Sequence, residues 1–464
     1  MLKTGKTTGT VRHLGLLLLA FAIVLPCSAA PPTLQTIYNF TGNADGAYPE
    51  AGVVLGSGGS LFGTTSGGGS GWGLVFELTP GKSGGWTEKT LYTFTGGADG
   101  AIPTSDLVIG ANNVLYGTTS YGGSSTCDCG TVFQLTPAHG GTWTFATLYA
   151  FTGGTDGANP AAGLVLDSTT EVLYGTTYNG GTTNMGTLFQ VGPVTGGTPA
   201  EKVLYSFQGG VDGANPIADL VIGANTTLFG TTYQGGSVTI PAGVPPCPTS
   251  SENTPCTYSN WGTVFELTPK GGGVWAETIL YTFMGVSDGG SPESALIVGT
   301  GNVLYGSTYW AGSPSVCPVG GYPQGCGTIF QVTPPTSGTG PWTQSVLHTF
   351  TGVSPDGAHP YRNLAINAGG MLFGTTYGGG LNTDFCFPET FPGCGTIFSM
   401  KPPSAPGGTW TKSNITTFNG TNGGAPNGII LGTSGILYGT TVMGGTAGGN
   451  GTAFSMAVAG SSEK

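Results

Sequence analysis

The sequence repeats a short motif, Asp-Gly-Ala-x-Pro, and the residues beside its Pro differ in chemical character from copy to copy. These divergent positions supply Glu50, Asp106, Asp219, Glu293, His359, Tyr361 and Arg362. A single catalytic site needs different groups from different repeats, so chemistry is to be sought at these positions. Carboxyl groups beside a Tyr, a His and an Arg suit acid–base catalysis on a sugar, as in a lyase or a hydrolase.

The catalytic candidates in this set are Glu50, Glu293 and Arg362, and the candidate ligand-binding residues are Asp106, Asp219, His359 and Tyr361. The competing interpretation is that all of them are solvated or mutually paired rim residues. The sequence favours this second interpretation, because paired carboxylates alone are a weak signal of function. Nucleophilic catalysis is disfavoured, since residues 31–464 hold three histidines and an all-β chain is not expected to place a helix after a serine, as a nucleophile elbow requires.

Three sequence elements recur seven times and indicate how these residues are positioned. A Tyr-x-Phe element or a variant of it ends at Phe40, Phe94, Phe151, Phe207, Phe283, Phe350 and Phe418. A Leu-Tyr/Phe-Gly-Thr/Ser-Thr element places its glycine at Gly63, Gly117, Gly175, Gly230, Gly306, Gly374 and Gly439. A Gly-Thr-Val-Phe-like element ends at Phe76, Phe133, Phe189, Phe265, Phe330, Phe398 and Phe454.

Each unit holds four short runs of β-forming residues separated by turn formers, which is typical of an antiparallel meander. Seven such units, at about 34–88, 89–145, 146–201, 202–277, 278–344, 345–412 and 413–458, predict an all-β, seven-bladed β-propeller with four-stranded antiparallel blades. A linear solenoid is the alternative, although its β-type repeats are usually shorter. The chain begins with a lone fourth-strand element at 36–40 and ends after a third-strand element at 452–458, so we expect the N-terminal strand to complete the last blade.

Composition agrees with a Gly-punctuated β protein, because 89 of 464 residues are Gly and only 7% are charged. Aromatic residues make up 10% of the chain, which disfavours disorder. The net charge of −11 disfavours nucleic-acid binding.

Residues 1–30 have the features of a secretory signal peptide: a basic start, an apolar stretch at 14–25 and small residues at 28–30. The apolar stretch is too short to span a bilayer. Residues 31–464 are then the mature chain, with a net charge of −14 because three basic and no acidic residues are removed. We expect a secreted, extracellular or periplasmic monomer that does not insert into a membrane.

Alternation of turns in a meander places the loops between second and third strands on the same face as the crossings between blades. The loop insertions at 237–260, 313–325 and 381–393 therefore share a rim with the Asp-Gly motif, and this loop-rich face is the expected binding face. Eight cysteines lie in these loops and are expected to form local disulfides in an exported protein, as Cys127/Cys129, Cys247/Cys256, Cys317/Cys326 and Cys386/Cys394. The pair separated by one residue is the doubtful one, and zinc binding is the alternative.

The motif carboxylates Asp45, Asp99, Asp156, Asp212, Asp288 and Asp356 raise the possibility of calcium sites. Calcium requires six to eight oxygen ligands, whereas each loop offers one carboxylate, and Asn422 replaces it in the last copy. A structural turn is therefore the favoured interpretation, with no metal and no cofactor expected.

Aromatic side chains at the loop-rich face are candidates for stacking on sugar rings or for anchoring a protein. Trp72, Trp261 and Trp310 are the ligand-binding candidates here, and packing is the alternative for each. Packing is favoured for Tyr121, Tyr178, Tyr233, Tyr309 and Tyr377, which end the second strands.

The ordered motifs Tyr-x-Phe, Asp-Gly-Ala-x-Pro, Leu-Tyr-Gly-Thr-Thr and Gly-Thr-Val-Phe-x-Leu-Thr-Pro resemble the GloVer (Gloeo/Verruco) tandem repeat of exported bacterial proteins, over residues 34–458. The resemblance implies a secreted or surface-tethered repeat protein, grouped with kelch-like propellers, and brings no established reaction. We therefore expect a secreted scaffold that binds an extracellular glycan or protein on its loop-rich face. A polysaccharide-active enzyme with its site at the axial mouth and a structural envelope protein are the alternatives.

Overall fold

Alternating apolar and polar residues bounded by glycine-rich turns fold into 29 short β-strands in the part of the chain that the structure describes. This computed structural model describes residues 33–458 except 195–198, 237–260, 286, 314–316, 318–324, 339, 382–385, 387–392 and 406, together with Met1 and Gly5. Contacts group residues Pro32–Lys464 into one unit. The predicted signal peptide lies almost entirely outside the described residues. No helix within them has the length and apolar character needed to cross a bilayer.

The strands form seven antiparallel sheets, which are the seven blades of a β-propeller. Blade 1 consists of β2 (Val54–Leu55), β3 (Leu61–Thr65), β4 (Leu74–Pro80) and β5 (Trp86–Thr93). Blade 2 consists of β6 (Val108–Ile109), β7 (Leu115–Thr119), β8 (Thr131–Pro137) and β9 (Trp143–Ala150). Blade 3 consists of β10 (Val165–Asp167), β11 (Val172–Thr177), β12 (Thr187–Gly192) and β13 (Ala200–Ser206). Blade 4 consists of β14 (Val221–Ile222), β15 (Leu228–Thr232), β16 (Thr263–Gly271) and β17 (Val274–Thr282).

The remaining blades follow the same order with two local changes. Blade 5 consists of β18 (Ile297–Val298), β19 (Leu304–Thr308), β20 (Thr328–Thr333) and β21 (Thr343–Thr349). Blade 6 has an inner strand in two pieces and consists of β22 (Gly357–Pro360), β23 (Ala365–Ile366), β24 (Leu372–Gly379), β25 (Thr396–Lys401) and β26 (Thr411–Thr417). Blade 7 consists of β27 (Gly424–Leu431), β28 (Ile436–Met443) and β29 (Thr452–Ala457), and its fourth strand is β1 (Leu34–Asn39). Single-turn 3₁₀ helices occur at Ser57–Gly59, Ala111–Asn113, His139–Gly141, Ala224–Thr226, Thr300–Asn302 and Thr433–Gly435.

The N-terminal strand closes the ring, as the sequence predicts. β1 pairs antiparallel with β29, so that Leu34 lies opposite Met456 and Asn39 opposite Thr452. The seven-bladed architecture and its closure by the N-terminal strand are thus confirmed.

Two recurring phenylalanines explain why a glycine is fixed in the second strand of every blade. The Phe of Tyr-x-Phe, which follows the fourth strand of one blade, and the third-strand Phe of the next blade are fully buried, and their ring centroids are 5.0–5.3 Å apart at all seven junctions. A Cβ at Gly63 would lie 2.5 Å from Cζ of Phe76, and each equivalent glycine meets its own phenylalanine at 2.6–2.7 Å. The glycine is therefore required because the aromatic ring occupies the space of a side chain.

Candidate functional site

Each blade is attached to the preceding one through the residue before the motif Pro. This residue has a left-handed backbone, with φ between 52° and 57°, in all seven copies: Tyr48, Ile102, Asn159, Asn215, Ser291, His359 and Ala425. Its amide donates a 2.7–3.0 Å hydrogen bond to a carbonyl that precedes the third strand of the neighbouring blade. This joint fixes the start of each inner strand and thereby the residues that face the axis.

His359 belongs to this joint. Its Nδ1 donates to the carbonyl of Tyr309 at 2.9 Å, as the side-chain amides of Asn159 and Asn215 donate to carbonyls of their preceding blades at 3.0 and 2.9 Å. Because a carbonyl only accepts, the proton sits on Nδ1. His359 is fully buried, with its ring stacked on Tyr309 at 4.7 Å. The expectation that His359 contacts a ligand is corrected, since its side chain has no exposure and holds two blades together.

Five blades meet at the axis through two aspartates and one asparagine. Oδ1 of Asp106 accepts from the amide of Gly52 at 2.7 Å, and Oδ1 of Asp219 accepts from the amide of Gly163 at 2.5 Å. Across the axis, Nδ2 of Asn363 lies 2.8 Å from Oδ2 of Asp106 and 3.5 Å from Oδ2 of Asp219. We call Asp106, Asp219, Arg362 and Asn363 the axial clamp. Asp106, Asp219 and Arg362 come from the divergent positions after the motif Pro, and the structure brings them together at the axis.

Arg362 supplies the positive charge of the clamp. Its Nη2 donates to the carbonyl of Thr104, in blade 2, at 3.0 Å, and its guanidinium carbon lies 5.1 Å from the ring centre of Tyr361. Burial lowers the pKa of Arg362, but Tyr361 and the surrounding carboxylates raise it by a larger amount, so the net shift of this pKa is upward. The residue keeps its charge and has a φ of 59°, a conformation rare for a side chain of this size.

The two clamp aspartates hold their protons more tightly than free carboxyls do. Burial, followed by the charge of Asp219, raises the pKa of Asp106 to about 6, against the lowering effects of Arg362, Gly52 and Asn363. Burial likewise raises the pKa of Asp219. The clamp therefore gains negative charge as the pH rises through 6.

Next to the clamp, where the crossings and the ends of the second strands share the loop-rich face, lies a cluster of side chains that we call the axial mouth. It is formed by Glu50, Glu293, Tyr361 and the tyrosines that end four second strands, Tyr178, Tyr233, Tyr309 and Tyr377, all half-buried. Their grouping follows from ring distances of 6.0 Å between Tyr309 and Tyr361 and 5.5 Å between Tyr361 and Tyr377. The pKa of Tyr377 is raised by burial to about 12, with charge effects from both Glu50 and Glu293. Glu50 of blade 1 and Glu293 of blade 5 therefore both act on the same tyrosine.

The two glutamates of the axial mouth differ in environment. Oε1 of Glu50 accepts from the hydroxyl of Ser66 at 2.9 Å. Glu293 has its pKa raised by burial to about 8, with Arg362 acting in the opposite direction. At neutral pH the Glu293 carboxyl is therefore mainly protonated and can donate a hydrogen bond.

The rim tryptophans have three different environments. Trp72 is 45% exposed. Trp310 is half-buried and lies edge-on to His359 at 4.6 Å. Trp261 is fully buried, and its indole occupies the space where Gly285 would carry a side chain. The expectation of ligand contact is corrected for Trp261, for which packing is the observed role.

The Asp-Gly motif closes its own turn and holds the Tyr of the preceding fourth strand. Asp45 accepts from the Tyr38 hydroxyl at 3.0 Å and from the Thr41 amide at 2.9 Å, and Asp99, Asp156, Asp212 and Asp288 make the same two kinds of bond. In the sixth copy Asp356 faces His348 at 3.5 Å and forms an ion pair with Lys412. This arrangement agrees with the structural turn favoured by the sequence. In the described part of the chain, no three His, Cys, Asp or Glu side chains group around one point.

Three cysteine pairs are bonded in the described residues: Cys127–Cys129, Cys317–Cys326 and Cys386–Cys394. The pair across one residue, doubtful from its spacing, is thus present. Cys247 and Cys256 lie outside the described residues.

Asn363 and the joint residues other than His359 are not among the residues that the sequence analysis singles out. Asn363 stands three residues after the motif Pro, as Asp106 and Asp219 do, so an alignment of the repeats at that position was the available signal. The tyrosines that end the second strands, for which the sequence favours packing, are half-buried in the axial mouth.

The model of the Gloeobacter/Verrucomicrobia repeat family matches residues 22–240 and 249–464. A solved ancestral GH74 enzyme shares 11% identity with a TM-score of 0.54, over 92% of this chain and 49% of that one. A solved protein of unknown function from Dyadobacter fermentans shares 9% identity with a TM-score of 0.43, over 92% of this chain and 98% of that one. No curated protein sequence matches the chain. Similarity at these identities concerns the fold alone, whereas the repeat match covers nearly the whole sequence: the chain belongs to the Gloeobacter/Verrucomicrobia repeat family.

Proposed function

We propose that this protein is an exported β-propeller that binds a neutral extracellular glycan at its axial mouth. The observation that carries the proposal is Glu293, a half-buried carboxyl with a pKa of about 8, surrounded by tyrosines from neighbouring blades. Phenol and carboxyl groups match the alternating donors and acceptors of sugar hydroxyls, and aromatic rings match the apolar faces of sugar rings.

The charge of the site argues for a neutral ligand. Glu50, Asp106 and Asp219 surround the axis, and Arg362 is the one basic residue among them in the part of the chain that the structure describes. Since a uronic acid would bring another carboxylate to the axial mouth, like-charge repulsion would oppose its binding. The three described disulfides fit an oxidising compartment, which supports export.

The test is a glycan-array screen with the purified protein, run with calcium and again with EDTA. The expected result is saturable binding of neutral glycans, no binding of polyuronates, and no effect of EDTA. Glu293→Ala should lower affinity at least tenfold, because it removes a half-buried hydrogen-bonding group. Glu266→Gln is the matched control, since Glu266 is a half-buried glutamate in strand β16. Silence on the array together with capture of a purified extracellular protein would replace the glycan by a protein ligand.

An enzyme acting on the same glycan is the second candidate, and the unequal pKa values of Glu293 and Asp106 favour it. A carboxyl with a pKa of about 8 is a suitable general acid at neutral pH, and one with a pKa of about 6 is a suitable base. Glu293→Gln separates the two candidates. Gln still donates a hydrogen bond and so preserves binding, but it cannot transfer a proton and so abolishes any cleavage of a bound oligosaccharide.

A further inference from the structure

In several blades, the side chain two residues before the third strand packs against a glycine in the crossing that leads to the next blade. A Cβ built at that glycine would lie 2.6 Å from Trp72 at Gly96, 2.6 Å from Cys129 at Gly153 and 1.8 Å from Trp261 at Gly285. Cys129 is 4% exposed and Trp261 is fully buried. Trp72 occupies the same position with 45% of its surface exposed. Its indole thus rests with one part on Gly96 and another part open to solvent.

The glycine under Trp72 forms one wall of a hollow of about 600 Å³. The hollow lies between the crossing Gly96–Ala98 and the loop Gly123–Asp128 of blade 2. Its volume falls within the range of small-ligand sites. Because four of its lining residues are glycines or alanine, main-chain groups are accessible along its walls, and no large side chain fills it.

The polar groups of the hollow are hydroxyls and one carboxylate. Oγ of Ser124 lies 2.7 Å from Oγ1 of Thr126 and accepts from the Thr126 amide at 3.2 Å, so this part of the loop is held in place. Ser125 and Asp128 are exposed, and Asp128 has a φ of 48°. Such a lining offers both donors and acceptors, as a polyhydroxylated ligand requires, and Trp72 adjoins the hollow through its contact with Gly96.

We infer that this hollow is a second carbohydrate site, which binds one or two pyranose units of a neutral glycan with a sugar face stacked on Trp72. The sugar hydroxyls bond to main-chain groups of the crossing and to Ser125 and Asp128. The site is distinct from the axial mouth and depends on none of its residues. Both open on the loop-rich face, so a longer chain has two places to bind on one rim.

The experiment is a titration of the full-length protein with neutral hexose oligosaccharides of two to six units, followed by tryptophan fluorescence and calorimetry. We expect saturable fluorescence change in the wild type and in Glu293→Ala, because Trp72 reports its own site. Trp72→Ala should lose the fluorescence change in both backgrounds and should lower affinity at least tenfold in the Glu293→Ala background, where the axial mouth no longer contributes, while Trp72→Phe should retain affinity within about threefold.

Two further variants keep the test specific. Ser125→Arg should fill the hollow and abolish binding there without touching a packed residue, since Ser125 is exposed. Tyr48→Ala is the matched control, because Tyr48 is 46% exposed in the neighbouring blade and does not line the hollow. Unchanged affinity in Trp72→Ala and Ser125→Arg, or no binding by any oligosaccharide in Glu293→Ala, would overturn the second site. Loss through Glu293→Ala with no effect of Trp72→Ala would leave the axial mouth as the one supported site.

Discussion

Replacing Glu88, Glu201 and Glu277 together by Gln should stabilise the protein at pH 8 and have little effect at pH 5. These glutamates occupy one position in the fourth strands of three blades, and each faces the motif aspartate of its blade. Burial, with the charge of that aspartate, raises each pKa to about 7. Oε1 of Glu201 and of Glu277 is buried without a hydrogen-bond partner among the described residues.

The sign follows from the direction of the shift. A carboxyl with a folded pKa above its unfolded value contributes stability that is complete below the unfolded pKa, near 4.5, and is lost as the pH rises through about 7. At pH 8 the full shift would correspond to about 3 kcal/mol for each carboxyl. All three are only half-buried, so solvent screening reduces this to about 1 kcal/mol at pH 8 and about 0.3 kcal/mol at pH 5.

The triple variant should therefore gain about 3 kcal/mol at pH 8 and about 1 kcal/mol at pH 5, or Tm increases of about 3 °C and 1 °C for a domain of this size. The chain itself holds the precedent, since Gln344 stands at this position in blade 5 and donates to the Asp288 carbonyl at 3.1 Å. Gln344→Glu is the reverse control and should lose more stability at pH 8 than at pH 5. Thermal unfolding followed by circular dichroism at both pH values measures these differences. Equal shifts at the two pH values, or a lower Tm of the triple variant at pH 8, would refute the reasoning.

Three other perturbations test the joints, the core and the closure of the ring. His359→Asn should leave the Tm within about 1 °C of the wild type, because Asn159 makes the same bond in its own blade. His359→Ala should lower the free energy of unfolding by about 1–3 kcal/mol, as measured by thermal unfolding. Equal Tm values of the two variants would contradict the structural role of His359. Gly63→Ala should cost more than 1 kcal/mol through its clash with Phe76, and an unchanged Tm would show that the ring has room to move. Removal of residues 33–40 should expose β29 and make blade 7 sensitive to limited proteolysis, and unchanged resistance would argue against closure by pairing. Binding at the axial mouth should weaken above pH 8 in the wild type but not in Glu293→Gln, as measured by calorimetry.

The sequence predicted the fold because its information is repeated seven times. Glycine, aromatic and turn residues return at fixed places, and an offset between the chain ends predicted the closing strand. The starts of the inner strands lie near the axis in a propeller, so the sequence indicates where the divergent residues after the motif Pro lie, but not that Asp106 and Asp219 share Asn363 as a hydrogen-bond donor.

Side-chain exposure was harder to predict, because equivalent positions differ in their surroundings. Trp72 and Trp261 share one position in their repeats, yet one indole is exposed and the other is buried. The sequence predicts that His359 contacts a ligand because it is one of the residues beside the motif Pro that differ from copy to copy. Its role depends on a left-handed backbone and a carbonyl in the neighbouring blade, which no local pattern records.

The pairing of β1 with β29 also sets an order of assembly. Strands within a blade are close in sequence, whereas Leu34 meets Met456 only after almost the entire chain is available. Loop-closure entropy grows only logarithmically, so joining these ends costs just ~2 kcal/mol more than bringing adjacent blades together. During synthesis six blades can therefore form in succession while the seventh lacks its outer strand. Until the first strand returns to it, the edge of β29 is open to any extended segment, including the first strand of a second molecule, and chain concentration during folding decides between a closed ring and a strand-exchanged pair.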